Sequence, residues 1–266
     1  MQTSLAEKVS AKGPWALITG STAGIGRAFG EQLAECGLNL VLLARSINDL
    51  QQQRRALTER WGVETRCIPC DLSAPGLMTI VDEATCDLEI GLLINNAGAP
   101  SYHGRFFDRD AHRQDEALRI NTIVQIQLLR HFGRLMAERG KGSIIQVSSI
   151  AGHIVMPFMA EYTASKAFQL TFGEALYYEF KDYGIDFLVL SPGATKSRRV
   201  NFGMEPTDVV AEALNALGRQ PCILPGWRNR WSAFRNRHLR SRRRAIAKMG
   251  AFQRGQLQWT ATEKSD

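Results

Sequence analysis

Two residues able to move a proton stand four apart in the run Tyr162-Thr163-Ala164-Ser165-Lys166. On a helix that spacing puts both side chains on one face. A phenol with an ordinary pKa of about 10 is a poor acid or base near neutrality, and a neighbouring ammonium stabilises its phenolate and pulls the pKa down. Lys166 is expected to do this for Tyr162. Taken alone, a Tyr and a Lys so spaced also describe an ordinary helix surface, and Tyr177, Tyr178 and Tyr183 read as packing residues.

A second stretch with chemical use is Thr19-Gly20-Ser21-Thr22-Ala23-Gly24-Ile25-Gly26, which follows an apolar run and opens a helix-like one. Glycines there let the chain turn tightly and let a pyrophosphate approach a helix N-terminus, where unpaired N–H groups and the helix dipole favour negative charge. A tight strand-to-helix turn is the plainer reading of the same glycines. About 20 residues further on, a site reading the ribose of NAD carries an Asp or Glu. Here Leu42-Leu43-Ala44-Arg45-Ser46 lacks the carboxylate and supplies a guanidinium suited to a 2′-phosphate, so NADP(H) is the expected cofactor. The competing reading of Arg45 is a solvated residue at a helix start.

These residues need elements to hold them. Apolar runs at Trp15–Thr19, Leu38–Leu43, Thr65–Pro69, Gly91–Ile94, Ser143–Val147, Ile185–Leu190 and Cys222–Leu224 read as strands. Stretches of helical period lie between most of them, at Gly24–Cys36, Ile47–Trp61, Ala111–Glu138 and Glu161–Tyr183. Continuous apolar strands alternating with helices predict a parallel sheet covered on both faces. The expected fold is therefore a single doubly wound α/β Rossmann domain with about seven strands over residues 1–225, followed by a basic helical extension, 226–266, packed on the same domain.

With these elements in place, the spacing Gly20-x-x-x-Gly24-x-Gly26 resembles the fingerprint of the short-chain dehydrogenase/reductase family. So do Asn95-Asn96-Ala97-Gly98 after the fourth strand and the Tyr-x-x-x-Lys pair. The resemblance covers about Pro14 to Thr195. It implies that Asp71-Leu72 lies near the adenine, that Asn96, Ala97 and Gly98 border the cofactor, and that Pro192-Gly193 with Thr195 holds the nicotinamide carboxamide. Tyr162 and Lys166 would also contact the cofactor, whose oxidised nicotinamide would help Lys166 stabilise the phenolate. Ser149, thirteen residues before Tyr162, matches the catalytic serine that hydrogen-bonds the substrate oxygen, in preference to Ser148. Asn121 matches the asparagine that positions a proton-relay water near the lysine. The implied assembly is a homodimer or homotetramer through the two long helices.

More loosely, the body is similar to microsomal-type 17β-hydroxysteroid dehydrogenases, very-long-chain 3-oxoacyl-CoA reductases and bacterial hydroxysteroid dehydrogenases. Candidate substrate-contacting residues are His153, Met156, Phe158, Met159, Pro100 to His103 and Ser197 to Met204. Their apolar character points to a lipophilic ketone or alcohol such as a steroid. A 3-oxoacyl thioester on CoA or an acidic carrier protein is the alternative. The remote one, a non-catalytic NADP(H)-binding protein, is disfavoured because Ser149, Tyr162 and Lys166 are all present.

Composition narrows the remaining possibilities. The N-terminal residues lack the apolar block of a signal peptide and no run approaches a membrane span, so a cytoplasmic enzyme is expected. Five cysteines suit free thiols; Cys67 and Cys70 should face opposite sides of one strand, and no metal site is inferred from them or from His103, His112, His131 and His238. Of 33 Lys/Arg, eleven fall between Arg219 and Arg254, where there is no Asp or Glu; the rest of the chain holds 22 basic and 26 acidic residues. In this tail Trp227, Trp231, Phe234 and His238 recur at helical spacing, and Ile246, Met249 and Phe252 continue the apolar set. The first reading packs that stripe on the enzyme's body or a sister subunit near the substrate entrance. The second is peripheral membrane contact. Docking to an acidic carrier protein or nucleic acid ranks last, and nucleic acid is not expected because no recognition motif accompanies the charge.

Overall fold

A computed structural model of the chain describes residues 5–99, 102–198 and 200–262, the last seven of these as helix backbone. Its strands are β1 (Trp15–Thr19), β2 (Asn39–Ala44), β3 (Thr65–Pro69), β4 (Ile90–Asn95), β5 (Gly142–Val147), β6 (Ile185–Leu190) and β7 (Cys222–Ile223). Its helices are α1 (Leu5–Ser10), α2 (Gly24–Glu35), α3 (Ile47–Trp61), α4 (Leu77–Glu83), α5 (Ala111–Arg119), α6 (Gln125–Glu138), α7 (Ala160–Glu179), α8 (Pro206–Ala216), α9 (Trp227–His238) and α10 (Arg242–Thr262).

All strand pairs are parallel, in the order β3-β2-β1-β4-β5-β6-β7. Successive strand residues point to opposite faces. Ala16 and Ile18 of β1 join one core with Phe29 and Leu33 of α2, Leu57 of α3 and Val210 of α8. Leu17, between them, joins the other with Val81 of α4, Leu128 and Phe132 of α6, and Leu170 of α7. Phe29, Phe132 and Phe187 are fully buried, each contributing about 1.5–3 kcal/mol relative to exposure. Cys67 packs with the first core and Cys70 with the second, so the pair does face opposite sides.

The strand order reverses between β1 and β4. In a doubly wound sheet the crevice outside the carboxyl ends of those strands is where a ligand binds. Thr19 and Asn95, the last residues of β1 and β4, lie at that point.

Three departures from the sequence reading matter. The stretch read as one helix over 111–138 is broken by a π turn, Ile120–Val124, which places Asn121 in the widened turn. The stretch 161–183 ends in a 3-10 turn, Phe180–Tyr183, closed by Gly184 at φ 68°. The aromatic stripe of the tail does not pack on the chain's own body: Trp227, Trp231 and Phe234 are 66%, 52% and 48% exposed. Other residues of α9 make the body contacts instead. Ala233 is buried, the Arg230 guanidinium pairs with Glu212 at 3.2 Å, and the Asn229 side chain sits against Gly193.

Candidate active site

The glycine turn after β1 is shaped by close approaches. Gly20 and Gly24 have φ of 66° and 51°, where an L side chain is strained. A Cβ on Gly26 would land on the carbonyl oxygen of Gly20. The helix it opens has no side-chain cap: Ala23 is extended and offers none, so the first N–H groups of α2 face the turn. The Ser21 hydroxyl is buried there without a partner in the chain. An uncapped N-terminus behind a glycine cradle, with an unspent buried hydroxyl, fits a pyrophosphate. Thr22 completes the turn, while Ile25 packs onto the core beneath it.

The Asn96-Ala97-Gly98 turn is pinned to β1. The N–H groups of Asn96 and Ala97 each donate to Thr19 Oγ1 at 2.9 Å, and Asn96 Nδ2 donates to the Thr19 carbonyl at 2.8 Å. A Cβ on Gly98 would fall 2.8 Å from Asn121 Oδ1 and 3.8 Å from Lys166 Nζ, so this turn joins the cradle to the proton-moving residues. At the other rim, Arg45 extends from the end of β2 with its side chain 73% exposed, 3.9 Å from Asp71 Oδ2. Ser46 caps α3, accepting from the Asp49 N–H. Asp71 accepts from the N–H and hydroxyl of Ser73, and these bonds hold its carboxyl below the usual carboxylate range. Leu72 is core. Pro192 accepts from the Ile150 N–H, Thr195 donates to the Gly193 carbonyl, and Gly193 lies under Asn229.

Ser149 leaves the end of β5 and hydrogen-bonds the Tyr162 phenol, while its Oγ also accepts from the Ala151 N–H at 3.1 Å. Ser148 points elsewhere, donating to the Lys166 carbonyl. Lys166 Nζ stands 5.8 Å from the Tyr162 ring centroid and donates to the Val147 carbonyl at 3.1 Å and Gln169 Oε1 at 2.9 Å. Burial pushes the Tyr162 phenol above its ordinary value, with the Ser149 bond opposing, and lowers Lys166 to about 8. The expected lowering of the phenol by the ammonium is thus not what the chain alone produces. Burial penalises the charged form of each group, and the phenol's penalty dominates.

Asn121 lies on the same side of the Gly98 turn as the lysine. Asn121 Oδ1 accepts from the Ala99 N–H, and its carbonyl accepts from Gln169 Nε2 at 2.7 Å. Gln169 was invisible as a functional residue in the family motifs. Its signal is periodicity: 162, 166 and 169 share one helix face.

Over the mouth, His103 and Phe158 meet edge to face at 6.4 Å, and the Gly104 N–H donates to the Phe158 carbonyl. Arg109, little exposed, pairs with Glu161 at 2.7 Å, tying the loop to the start of α7. Phe158 is the one non-glycine residue of positive φ among those described, at 68°, a strained conformation of a kind that concentrates at ligand sites. His153, Met156 and Met159 are half-buried beside it, and Phe202 is 63% exposed. Pro100, Ser101 and Arg199 lie outside the described residues. Among the described residues no group of three or more His, Cys, Asp or Glu is placed to hold a metal ion.

A doubly wound sheet, a glycine cradle at its switch point and a Ser-Tyr-Lys cluster beside it define a class, and the short chain dehydrogenase profile matches residues 14–204: the chain belongs to that family. A 7beta-hydroxysteroid dehydrogenase of Clostridium sardiniense is 31% identical over 249 residues, covering 90% of this chain and 95% of the relative. A very-long-chain 3-oxoacyl-CoA reductase of Mus musculus is 36% identical over 177 residues, 65% of this chain but 56% of the reductase. Among solved structures, one of 7beta-hydroxysteroid dehydrogenase superposes with a TM-score of 0.86 at 28% identity, covering 91% of this chain and 98% of that one. A short-chain dehydrogenase of Sphingobium yanoikuyae, in complex with NADPH, has a TM-score of 0.74 at 28% identity, covering 83% and 92%. Family and cradle agree on NAD(P)(H) as the cofactor.

Proposed function

We propose that the chain is an NADP(H)-dependent oxidoreductase interconverting a ketone and a secondary alcohol on a lipophilic, steroid-like substrate. The observation that carries this reading is the convergence of the Ser149 and Tyr162 hydroxyls, with Lys166 behind them, on the turn that borders the cradle.

The nicotinamide supplies or takes the hydride when bound. In reduction, negative charge develops on the substrate oxygen. Ser149 donates a hydrogen bond to it, an effect of roughly 2.7–4 kcal/mol for one preorganised donor. Tyr162 delivers the proton, and Lys166 stabilises the phenolate left behind. Oxidation is the reverse, with Tyr162 as base. NADP(H) selectivity rests on Arg45 and the missing acid, and favours reduction in the cell. Gly20, Ser21, Thr22, Gly24 and Gly26 hold the pyrophosphate, and Asp71 lies toward the adenine.

The apolar character of the half-buried Met156, Phe158 and Met159 and the likeness to hydroxysteroid dehydrogenases favour a steroid. The reductase similarity supports the second reading, a 3-oxoacyl thioester. A panel of ketosteroids, 3-oxoacyl thioesters and small carbonyls, followed by NADPH consumption, separates them: selective turnover of thioesters with none of ketosteroids would overturn the first.

Arg45→Asp should invert cofactor preference, because it removes a charge-assisted phosphate contact and adds repulsion. The ratio of kcat/KM for NADPH to that for NADH is the readout. A variant still strongly favouring NADPH would place selectivity elsewhere.

We assign the tail to the catalytic unit of a homodimer or homotetramer. Its support is the grip of α9 on the body and the approach of α10 to the mouth, where the Arg254 guanidinium lies 5.9 Å from the Phe158 ring centroid. Truncation after Pro225 should therefore lower thermal stability or raise KM. Unchanged stability, assembly and KM, with loss of sedimentation on anionic vesicles, would instead make the tail a membrane contact. No helix among the described residues is long and apolar enough to cross a membrane.

A further inference from the structure

The geometry points to Gln169 as a positioning residue for this reaction, one that holds the Lys166 ammonium and the Asn121 carbonyl together through its two amide atoms. The inference rests on the proton-transfer reading above and deepens it. Gln169 is 2% exposed and Lys166 5%, so neither meets bulk solvent. Gln169 Oε1 accepts from Lys166 Nζ at 2.9 Å while Nε2 donates to the Asn121 carbonyl at 2.7 Å. That carbonyl belongs to the π turn, and Asn121 Oδ1 at the same residue holds the Ala99 N–H. One amide therefore links the helix carrying Tyr162, the widened turn between α5 and α6, and, through Asn121, the segment after β4.

The consequence for Lys166 follows from counting donors. An ammonium has three N–H groups. Val147 and Gln169 take two, in fixed directions from β5 and from the next turn of α7. The third is left for the side of Tyr162 and the cofactor. A buried lysine on a flexible stem gains little direction from its own rotamers, and Gln169 supplies it.

Polarity also matters. The groups facing Lys166 are the Val147 carbonyl of β5, Asn121 of the π turn, the Gly98 turn, and Gln169 and Tyr162 of its own helix. Of these only Tyr162 titrates, and burial is the one cause moving Lys166. Gln169 thus stabilises the ammonium as a neutral acceptor without fixing it as an ion pair.

Two substitutions move this contact in opposite senses. Gln169→Glu puts a carboxylate beside the ammonium and should raise the pH of the alkaline limb of kcat by roughly one unit or more. Gln169→Met removes the acceptor and should move the limb to lower pH, while reducing kcat by up to about a hundredfold with KM changed far less. A merely structural Gln169 would lower the melting temperature in both variants and leave the limb in place. If Gln169→Met fails to fold, Gln169→Glu decides the question alone. The proposal is overturned if both folded variants keep the wild-type limb while Lys166→Ala loses it. If Lys166→Ala also keeps the limb, the reading of Lys166 itself has failed.

Discussion

Tyr162→Phe is expected to fold, bind cofactor and turn over roughly a thousandfold more slowly, because one oxygen, the proton donor and acceptor, is removed and general acid–base catalysis is worth about 10²–10⁴. Tyr162 is half-buried and its hydroxyl engages Ser149, so the loss also costs about 1 kcal/mol of stability, too little to unfold a domain of this size. Steady-state rates on a substrate the wild type reduces, with cofactor binding followed by fluorescence, test both halves. Retention of more than a tenth of the wild-type rate would remove Tyr162 from the proton-transfer role.

Lys166→Ala should lower activity by a comparable factor and erase the pH limb near 8 that its ammonium produces. Its effect on stability has a different sign at different pH. The folded chain holds this proton less tightly than the unfolded one, since burial lowers the pKa from 10.5 to about 8. The folded state therefore carries a penalty of about 3 kcal/mol below pH 8, which fades as pH rises toward 10.5. Alanine removes that penalty but strands the acceptors on Val147 and Gln169 and leaves a cavity, terms of similar size. Denaturant titrations should show a small net change at neutral pH, with the wild type gaining on the variant between pH 8 and 10.5. A parallel pH dependence in the two proteins would contradict the burial of a charged lysine.

The sheet was legible because most of its strands are short apolar runs, and the two-core arrangement follows from the alternation of such residues as Ala16, Leu17 and Ile18. Helix α4, seven residues long, is too short for its period to register, and α8 announces itself mainly by Pro206 in its first turn. The π turn was hidden for another reason. The stretch 111–138 has unbroken helical composition, and the contact made within the turn, the Asn121 carbonyl accepting from Gln169 48 residues away, is tertiary and leaves no local period.

In the candidate site, Gly20, Gly24, Gly26, Tyr162 and Lys166 could be read from residue type and spacing, because backbone freedom and a paired phenol and ammonium are local requirements. The direction of the Tyr162 pKa could not, since it depends on how deeply the fold buries both groups. Nor could the Arg109–Glu161 tie across the mouth, which joins a loop to the start of α7, 52 residues on. The tail's stripe was legible as a helix face, but a period says only that one face is apolar, not what covers it; Trp227 and Trp231 are largely exposed, while Ala233 is buried.

Transfer of deuterium to a ketosteroid from NADPH deuterated at both C4 positions, with Tyr162→Phe as control, reads the hydride and proton steps together. The wild type should give a secondary alcohol carrying the label at the carbinol carbon, with one cofactor oxidised per alcohol formed, and the variant almost none. A product without label, or equal labelled product from the variant, would contradict it.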